Sequence, residues 1–404
     1  MKNKKILLLN SIAGTGSTGR ILTGLAAMLQ EEGNESLICY GRKSFQGGAL
    51  SYRIGNDPGV YLHGALSRLT DRHGLYSSHA TKKLVRRIRE YAPDLIHLHN
   101  VHGYYLNIPI LFRFLREYGR PVLWTLHDCW SFTGHCTHYE YVKCTRWMKQ
   151  CHDCPQLREY PRSFFADASA SNYRLKKNLF TGIEKLQLVT PSEWLKKQVS
   201  RSFLKDYPAT VIPTGIDLDQ FRPTASDLRE RYGLQGKTVL LGVANPWRER
   251  KGLDDFISLA ERLPEGYAIV MIGLKKKQLA RIPSKIIGME KTDSVSEMAM
   301  WYTLADQYVN LTREDTFPTT NLEALACGTP VITYRAGGSP ESVTHSTGEV
   351  LEVDDLDAVL SSITRFGRKG QDLSGECLSR AKEYDRNLRF REYMAKYEEI
   401  LHSV

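Results

Sequence analysis

The feature that most constrains this chain is an alternation, run through twice, of short apolar stretches with stretches of helical period. Residues 5–10, 37–40, 94–97, 121–126, 186–190 and 210–213 read as buried strands, with helical patterns at 20–32, 82–91, 111–118 and 191–200. A second series places strands at 238–243, 268–272, 286–288, 307–311 and 330–334, with helical patterns at 253–263, 295–303 and 321–327. Near-continuous apolar strands joined by helices predict parallel sheets covered on both faces. The expected fold class is therefore α/β, with two doubly wound, Rossmann-like domains. Their expected boundaries are 1–213, a linker at 214–235, 236–380, and a C-terminal helix at 381–404 packing back toward the first domain. Between about 129 and 162 the period lapses into a Cys-, His-, Tyr- and Trp-rich segment, which reads as an insertion in the first domain.

At 404 residues the chain is long enough for two or three domains. A charged fraction of 25% against 42% hydrophobic residues excludes a largely disordered chain. The 55 Lys and Arg outweigh the 45 Asp and Glu, a net charge of +10 that attracts phosphate in nucleotides, nucleic acid or an anionic membrane. No apolar stretch approaches the ~20 residues of a membrane helix. The basic start at 1–5 leads through a short apolar run into a glycine loop, which does not suit a secretion signal, so the expectation is a cytoplasmic protein with reduced or metal-bound thiols.

Two loops carry chemistry. After the first strand, Gly14-Thr15-Gly16-Ser17-Thr18-Gly19 has the spacing G-x-G-x-x-G and opens a helix. The second strand, however, ends in Tyr40-Gly41-Arg42 without the carboxylate that holds a dinucleotide ribose. A nicotinamide site, a ligand-free tight turn, and an anion or sugar contact therefore all stay open. In the second half, Asp315 follows a strand at the carboxyl end where open α/β sheets place ligands, and Thr319 and Thr320 are suited to cap a helix that Gly328 ends and Pro330 cannot continue. With Glu323 expected in the first turn, two carboxylates flank a helix N-terminus, which suits a ligand with several hydroxyls and an anionic centre, that is, a nucleotide sugar. The plainer alternative is that Glu323 favours the helix dipole and Asp315 ends a strand. The cations Arg248, Arg250 and Lys251 follow the strand at 238–243 and are placed to grip a diphosphate, although such a run is by default a solvated loop.

The stretch from Asp315 to Pro330, the Lys251-Gly252 pair, Gly337-Gly338-Ser339-Pro340-Glu341 and Val211-Ile212-Pro213-Thr214-Gly215-Ile216-Asp217 resemble the retaining family 4 glycosyltransferases of GT-B fold. Pro93 to Asn100 and Trp124-Thr125-Leu126-His127-Asp128 resemble the first domain of bacterial members that build capsular, exopolysaccharide or lipopolysaccharide glycans. The resemblance implies two domains facing across a cleft, a UDP- or GDP-hexose donor, and a glycan or lipid-linked glycan acceptor. It implies that Glu323 holds the ribose and Asp315 the hexose hydroxyls. The amides of Phe317, Pro318, Thr319 and Thr320 would bind sugar and phosphate; Pro318 has no amide hydrogen and would contribute only its backbone position. Arg248 and Lys251 would neutralise the diphosphate, Gly16 would approach the phosphates, and His127 would sit over sugar or acceptor. The family's first carboxylate is Glu, whereas this chain has Asp315 with Glu314 beside it. No cofactor is expected for transfer. An epimerase, a phosphorylase, an oxidoreductase and a basic zinc-containing nucleic-acid binder are the competing classes; the cations lie at β–α junctions instead of among aromatics on one face, so nucleic acid is not an expected partner.

Two further expectations concern the first domain. Cys136, Cys144, Cys151 and Cys154, spaced C-x7-C-x6-C-x2-C, suggest a structural zinc, with Cys129, His135 or His138 as substitute ligands, and reduced buried thiols or disulfides as the alternatives; His97, His99 and His102 are assigned to packing and hydrogen bonding. Leu84, Val85 and Ile88 form an apolar stripe among Lys82, Lys83, Arg86, Arg87 and Arg89, which suits a peripheral anchor on the inner face of an anionic membrane or, as the plainer alternative, an ordinary packed helix with a solvated face.

Overall fold

A computed structural model describes residues 1–403, which form two compact units. The first comprises Met1–Ile212 and the segment from Phe390 onward; the second is Pro213–Arg389. The first unit contains seven parallel strands, β1 (Lys5–Asn10), β2 (Glu35–Tyr40), β3 (Ser51–Arg53), β4 (Leu95–Leu98), β5 (Val122–Thr125), β6 (Leu186–Thr190) and β7 (Ala209–Val211), in the order β3-β2-β1-β4-β5-β6-β7. Residues Ile6 to Leu9 of β1 and all of β4 and β5 are buried, because helices cover both faces. The strand order reverses between β1 and β4, and the loops after both strands meet there at the carboxyl edge where such sheets hold ligands.

The second unit has a six-stranded parallel sheet, β8 (Thr238–Val243), β9 (Tyr267–Ile272), β10 (Ile286–Met289), β11 (Gln307–Asn310), β12 (Val331–Tyr334) and β13 (Gly348–Leu351), ordered β10-β9-β8-β11-β12-β13. Its switch point lies between β8 and β11, so the loops after these two strands meet there. The sequence pattern does not reveal β3 or β13, which have only three and four residues.

In the first unit, α1 (Gly16–Glu31), α2 (Asp57–Thr70), α3 (Ser78–Tyr91) and α4 (Ile108–Tyr118) precede the Cys-rich segment. That segment is irregular, with short 3-10 turns at Trp130–Phe132 and Arg146–Met148, yet it is not a separate body. Trp130, Phe132, Tyr139 and Trp147 are buried in the same core as Phe112, Trp124 and Phe180. The last helix, Arg386–His402, sends Phe390, Tyr393, Met394, Tyr397 and Ile400 into the apolar cluster of β1 and α1. It is pinned by polar contacts: His97 Nδ1 lies 2.6 Å from Tyr397 Oη, His97 Nε2 lies 2.8 Å from Thr125 Oγ1, and Thr125 donates to Tyr393 Oη at 3.2 Å. This makes His97 a neutral relay, and burial lowers its pKa to about 3.

The expected membrane stripe is corrected here. Leu84 and Ile88 are fully buried in the first unit's core and Val85 packs against it, so α3 is an ordinary core helix with a solvated basic face. No helix among the described residues is long and apolar enough to cross a membrane.

Candidate functional site

In the second unit the two loops at the switch point interlock through charge. After β8 the chain turns through Arg248 and the 3-10 turn Glu249–Lys251 to Gly252, at φ 78°, which opens the helix Leu253–Arg262. A Cβ at Gly252 would sit 2.6 Å from Leu311 Cβ and 2.7 Å from Leu311 O, so only glycine lets this turn close on β11. Lys251 Nζ then reaches Asp315 Oδ2 at 2.8 Å, both side chains being about one-fifth exposed. Arg250 pairs at 3.6 Å with Glu314, which is buried, and its carbonyl accepts from Arg313 N–H at 2.9 Å. Of the two adjacent acids, Asp315 is thus the more accessible and Glu314 the structural one. Arg313 is fastened by Asp255 and Asp354, and these carboxylates hold its pKa above its ordinary value although burial pulls it down.

Asp315 also anchors the loop that leads into the helix Thr319–Ala326. Its Oδ1 accepts from Phe317 N–H at 3.2 Å, and its carbonyl accepts from Gly338 N–H at 3.0 Å. A Cβ at Gly337, whose φ is 57°, would meet that carbonyl oxygen at 1.7 Å; the second glycine loop is therefore a mould for the Asp315 turn. The capping expectation is corrected: Pro318 is the N-cap, no side chain caps the helix, and Thr319 and Thr320 are its first two residues. Without a side-chain cap, the end remains suited to an anion. Glu323 lies in the second turn, five residues into the helix, and not in the first; its Oε2 accepts from Tyr302 Oη at 2.8 Å. Burial, and then Glu323, hold the Tyr302 phenol well above its ordinary pKa, so it stays a donor that fixes the carboxylate. Asn310 Nδ2 donates to Asn321 Oδ1 at 2.8 Å, tying β11 to the same helix. Tyr302 and Asn321 escape sequence reading because their partners are distant in the chain. The helix ends at Ala326 with Cys327 as its C-cap, and Gly328, at φ 75°, turns the chain away before Pro330.

In the first unit, Gly14, Thr15, Gly16 and Ser17 are exposed at the start of α1, whose N-cap Thr15 makes no side-chain cap bond. Around the ends of β4 and β5 a small pocket is lined by His99, His102, His127 and Asp128. His127 Nε2 lies 3.0 Å from His99 Nδ1, with the rings stacked at 13°. Burial lowers the His127 pKa to about 4, against the opposing pull of Asp128, so the ring is neutral at pH 7. His102 Nε2 sits 2.8 Å from Asp128 Oδ2. Burial alone would raise the Asp128 pKa, but the charge and hydrogen bond of His102 bring it down to about 2.

Cys136, Cys151 and Cys154 influence one another electrostatically, and Gly134 N–H donates to Cys151 Sγ at 3.2 Å. No disulfide joins any of the eight cysteines. Among the described residues no group of three or more His, Cys, Asp or Glu side chains is arranged to hold a metal ion. His135, a proposed substitute ligand, is instead engaged with Asp71.

Comparison with known proteins follows the same division of the chain. A family model for glycosyl transferases group 1 matches residues 237–368, and one for glycosyltransferase family 4 matches residues 18–220, just over half the chain by itself. The colanic acid biosynthesis glycosyl transferase WcaC of Escherichia coli is 27% identical over 371 residues, covering 87% of this chain and 88% of that protein. The lipopolysaccharide core biosynthesis mannosyltransferase LpcC of Rhizobium leguminosarum is 30% identical over 215 residues, 47% of this chain and 60% of its own length. Among solved structures, sucrose-phosphate synthase from Thermosynechococcus elongatus superposes with a TM-score of 0.72 at 16% identity over the whole of both chains. Anabaena HepE in complex with UDP-glucose does so with a TM-score of 0.65 at 16% identity, over 98% of this chain and 100% of that one. Two parallel-sheet α/β units with these likenesses are those of a GT-B enzyme. The chain is a glycosyltransferase and belongs to glycosyltransferase family 4.

Proposed function

We propose that the protein moves a hexose from a uridine or guanosine diphosphate sugar onto a glycan carried on a lipid, with retention of anomeric configuration, in bacterial surface polysaccharide biosynthesis. The names of the colanic acid and lipopolysaccharide relatives support the pathway class. The observation that carries the donor reading is the helix Thr319–Ala326, without a side-chain cap, beside the Lys251–Asp315 pair. A diphosphate suits the helix end and the cations Lys251 and Arg248. Asp315 would accept from sugar hydroxyls, and Glu323, held by Tyr302, would accept from the ribose diol.

On this reading the bond from the anomeric carbon to the diphosphate breaks as the acceptor oxygen bonds to that carbon on the same face, and the acceptor proton passes to the departing diphosphate. The protein supplies positioning and fixed positive charge; no protein nucleophile is required. From the first unit, Gly16 is proposed to act on the donor phosphates and neutral His127 on sugar or acceptor, a part that rests on family likeness. A lipid-borne acceptor also makes attachment to the inner membrane surface part of the proposal.

The experiment is transfer from UDP- and GDP-hexoses to a lipid-linked glycan acceptor, with the new linkage read by NMR. A product of the donor's own anomeric configuration is expected. An inverted linkage refutes retention, and an epimerised donor without transfer refutes the reaction.

A further inference from the structure

Helix α2 is built inside out. Its buried residues are His63, Gly64 and Ser67, whereas Tyr61, Leu62 and Leu69 are 77%, 61% and 51% exposed. An ordinary surface helix of a soluble domain does the reverse. The inner face is polar for a reason: His63 Nδ1 lies 2.8 Å from Ser77 Oγ, and its Nε2 accepts from Gly74 N–H at 3.3 Å. These bonds fix the rotation of the helix and leave its apolar side outward.

The outward side continues onto a neighbouring loop. Phe164 N–H donates to Arg68 O at 2.9 Å, which brings Phe164 and Phe165, 42% and 84% exposed, to the C-terminal end of α2. Along the other flank, a cavity of about 600 Å³ is lined by Val60, Leu62, Leu66, Leu75 and Tyr76, with Lys83 of α3 among its walls. Cations border the apolar surface: Arg68 and Arg72 are exposed, and Arg162 lies 5.9 Å over the Phe164 ring. The nearby acids are occupied, Asp57 by Arg53, Asp71 by His135, and Asp167 by the amides of Cys154 and Ser169.

We propose that this surface, α2 with the 164–165 loop, is the face by which the protein docks on an anionic lipid bilayer, with Tyr61, Leu62, Leu69, Phe164 and Phe165 entering the headgroup boundary. The cations favour this occupant over a second copy of the chain, whose identical positive rim would repel. The inference deepens the membrane attachment proposed above and rests on that reading; it moves the contact from α3 to α2. Large apolar side chains supply burial energy, and Arg68, Arg72, Lys83 and Arg162 supply a salt-sensitive attraction.

The test is sedimentation of the full chain with vesicles of phosphatidylcholine alone or mixed with phosphatidylglycerol, at low and high salt. Wild type is expected to bind the mixed vesicles and to weaken with salt. The triple variant Tyr61→Ser, Leu62→Ser, Phe165→Ser should lose about tenfold or more in binding. These positions are exposed, so its thermal melting should match wild type. A control variant with Arg86→Glu and Arg89→Glu on α3 should lose less. Wild type that ignores both vesicle types refutes attachment itself, and the surface with it. Wild type that binds while the triple variant binds equally refutes this surface and leaves attachment standing. Concentration-dependent dimers that only the triple variant abolishes, with no vesicle binding, would assign the face to a second copy and overturn the proposal.

Discussion

The two units solve the same problem, presenting polar chemistry at the edge of a parallel sheet, with different materials. Of the twelve histidines, His345 alone lies in the second unit; the other eleven belong to the first. The first unit places His63, His73, His97, His99 and His135 in its interior and partners both ring nitrogens of His63 and His97 with neutral groups, Ser77 and the Gly74 amide for one, Thr125 and Tyr397 for the other. Even its buried Lys176 donates to the carbonyls of Trp130 and Thr133, and burial lowers its pKa to about 7. The second unit works with Arg and Lys against Asp and Glu, in the partly exposed pairs Lys251–Asp315 and Arg313–Asp255, with Arg250 held beside them by the buried Glu314. Partly exposed pairs keep their charge and leave it available to a ligand. Buried neutral networks fix shape.

Breaking the charged half should have the largest effect. Lys251→Ala and Glu323→Ala are each expected to lower transfer by about 10²-fold or more while the fold survives, the scale seen when a group aimed at developing charge is removed. Steady-state rates together with circular dichroism check this. Near-normal activity in either variant would separate the charge constellation from catalysis.

Gly337→Ala attacks the mould of the same site. The left-handed backbone alone would cost about 1–2 kcal/mol, and a Cβ 1.7 Å from Asp315 O adds a clash that the backbone must relieve. Destabilisation of the second unit by about 2 kcal/mol or more in denaturant titration is expected from the two effects together. A silent Gly337→Ala would mean that the Asp315 turn is not moulded by this loop.

A pH change should act on the other half. Burial lowers the pKa of His63 to about 4 and of His97 to about 3, so between pH 6.5 and those values the unfolded chain binds more protons than the folded one. Stability of the first unit therefore falls as pH falls below about 6.5, by up to about 1.4 kcal/mol per pH unit for each such histidine. His135, raised by its hydrogen bond to Asp71 despite burial, opposes this trend. Hydrogen exchange read by segment at pH 7 and pH 5 should show protection lost in residues 1–212 and largely kept in 213–389. Equal loss in both would remove the contrast.

How much of this was legible in the sequence follows the same line. The alternation of strands and helices, the carboxyl-end loops and the roles of Gly328 and Pro330 follow from local pattern and backbone chemistry. Helix α2 did not, because a helix that buries His63 and Ser67 and exposes Tyr61 and Leu62 carries no conventional apolar face. For α3 a stripe flanked by cations fits an anchor and a packed helix equally by pattern, and only burial decides between them: Leu84 and Ile88 are core. The caps at Thr319 and Thr320 and the first-turn placement of Glu323 failed through a shift of one or two residues at a helix start. The Tyr302–Glu323 bond and the fit of Gly337 against Asp315 join segments 21 and 22 residues apart, beyond any local signal.

The cysteine cluster gives the smallest expected effect. Elemental analysis of protein purified without added metal, with melting followed before and after a chelator, tests the structural-zinc proposal: about one zinc per chain, lost to the chelator together with structure in this segment, supports it, and a metal-free protein of unchanged melting refutes it.

The central claim is that the end of helix Thr319–Ala326, with Lys251, Asp315 and Glu323, binds a nucleotide diphosphate sugar. Thermal shift against UDP- and GDP-hexoses, on wild type and Lys251→Ala in parallel, tests it most directly. One class of nucleotide sugar should stabilise wild type saturably, by about 2.7 kcal/mol at a hundred times its dissociation constant, and should stabilise Lys251→Ala far less. No shift with any of these donors, or the same shift in both proteins, would contradict the account.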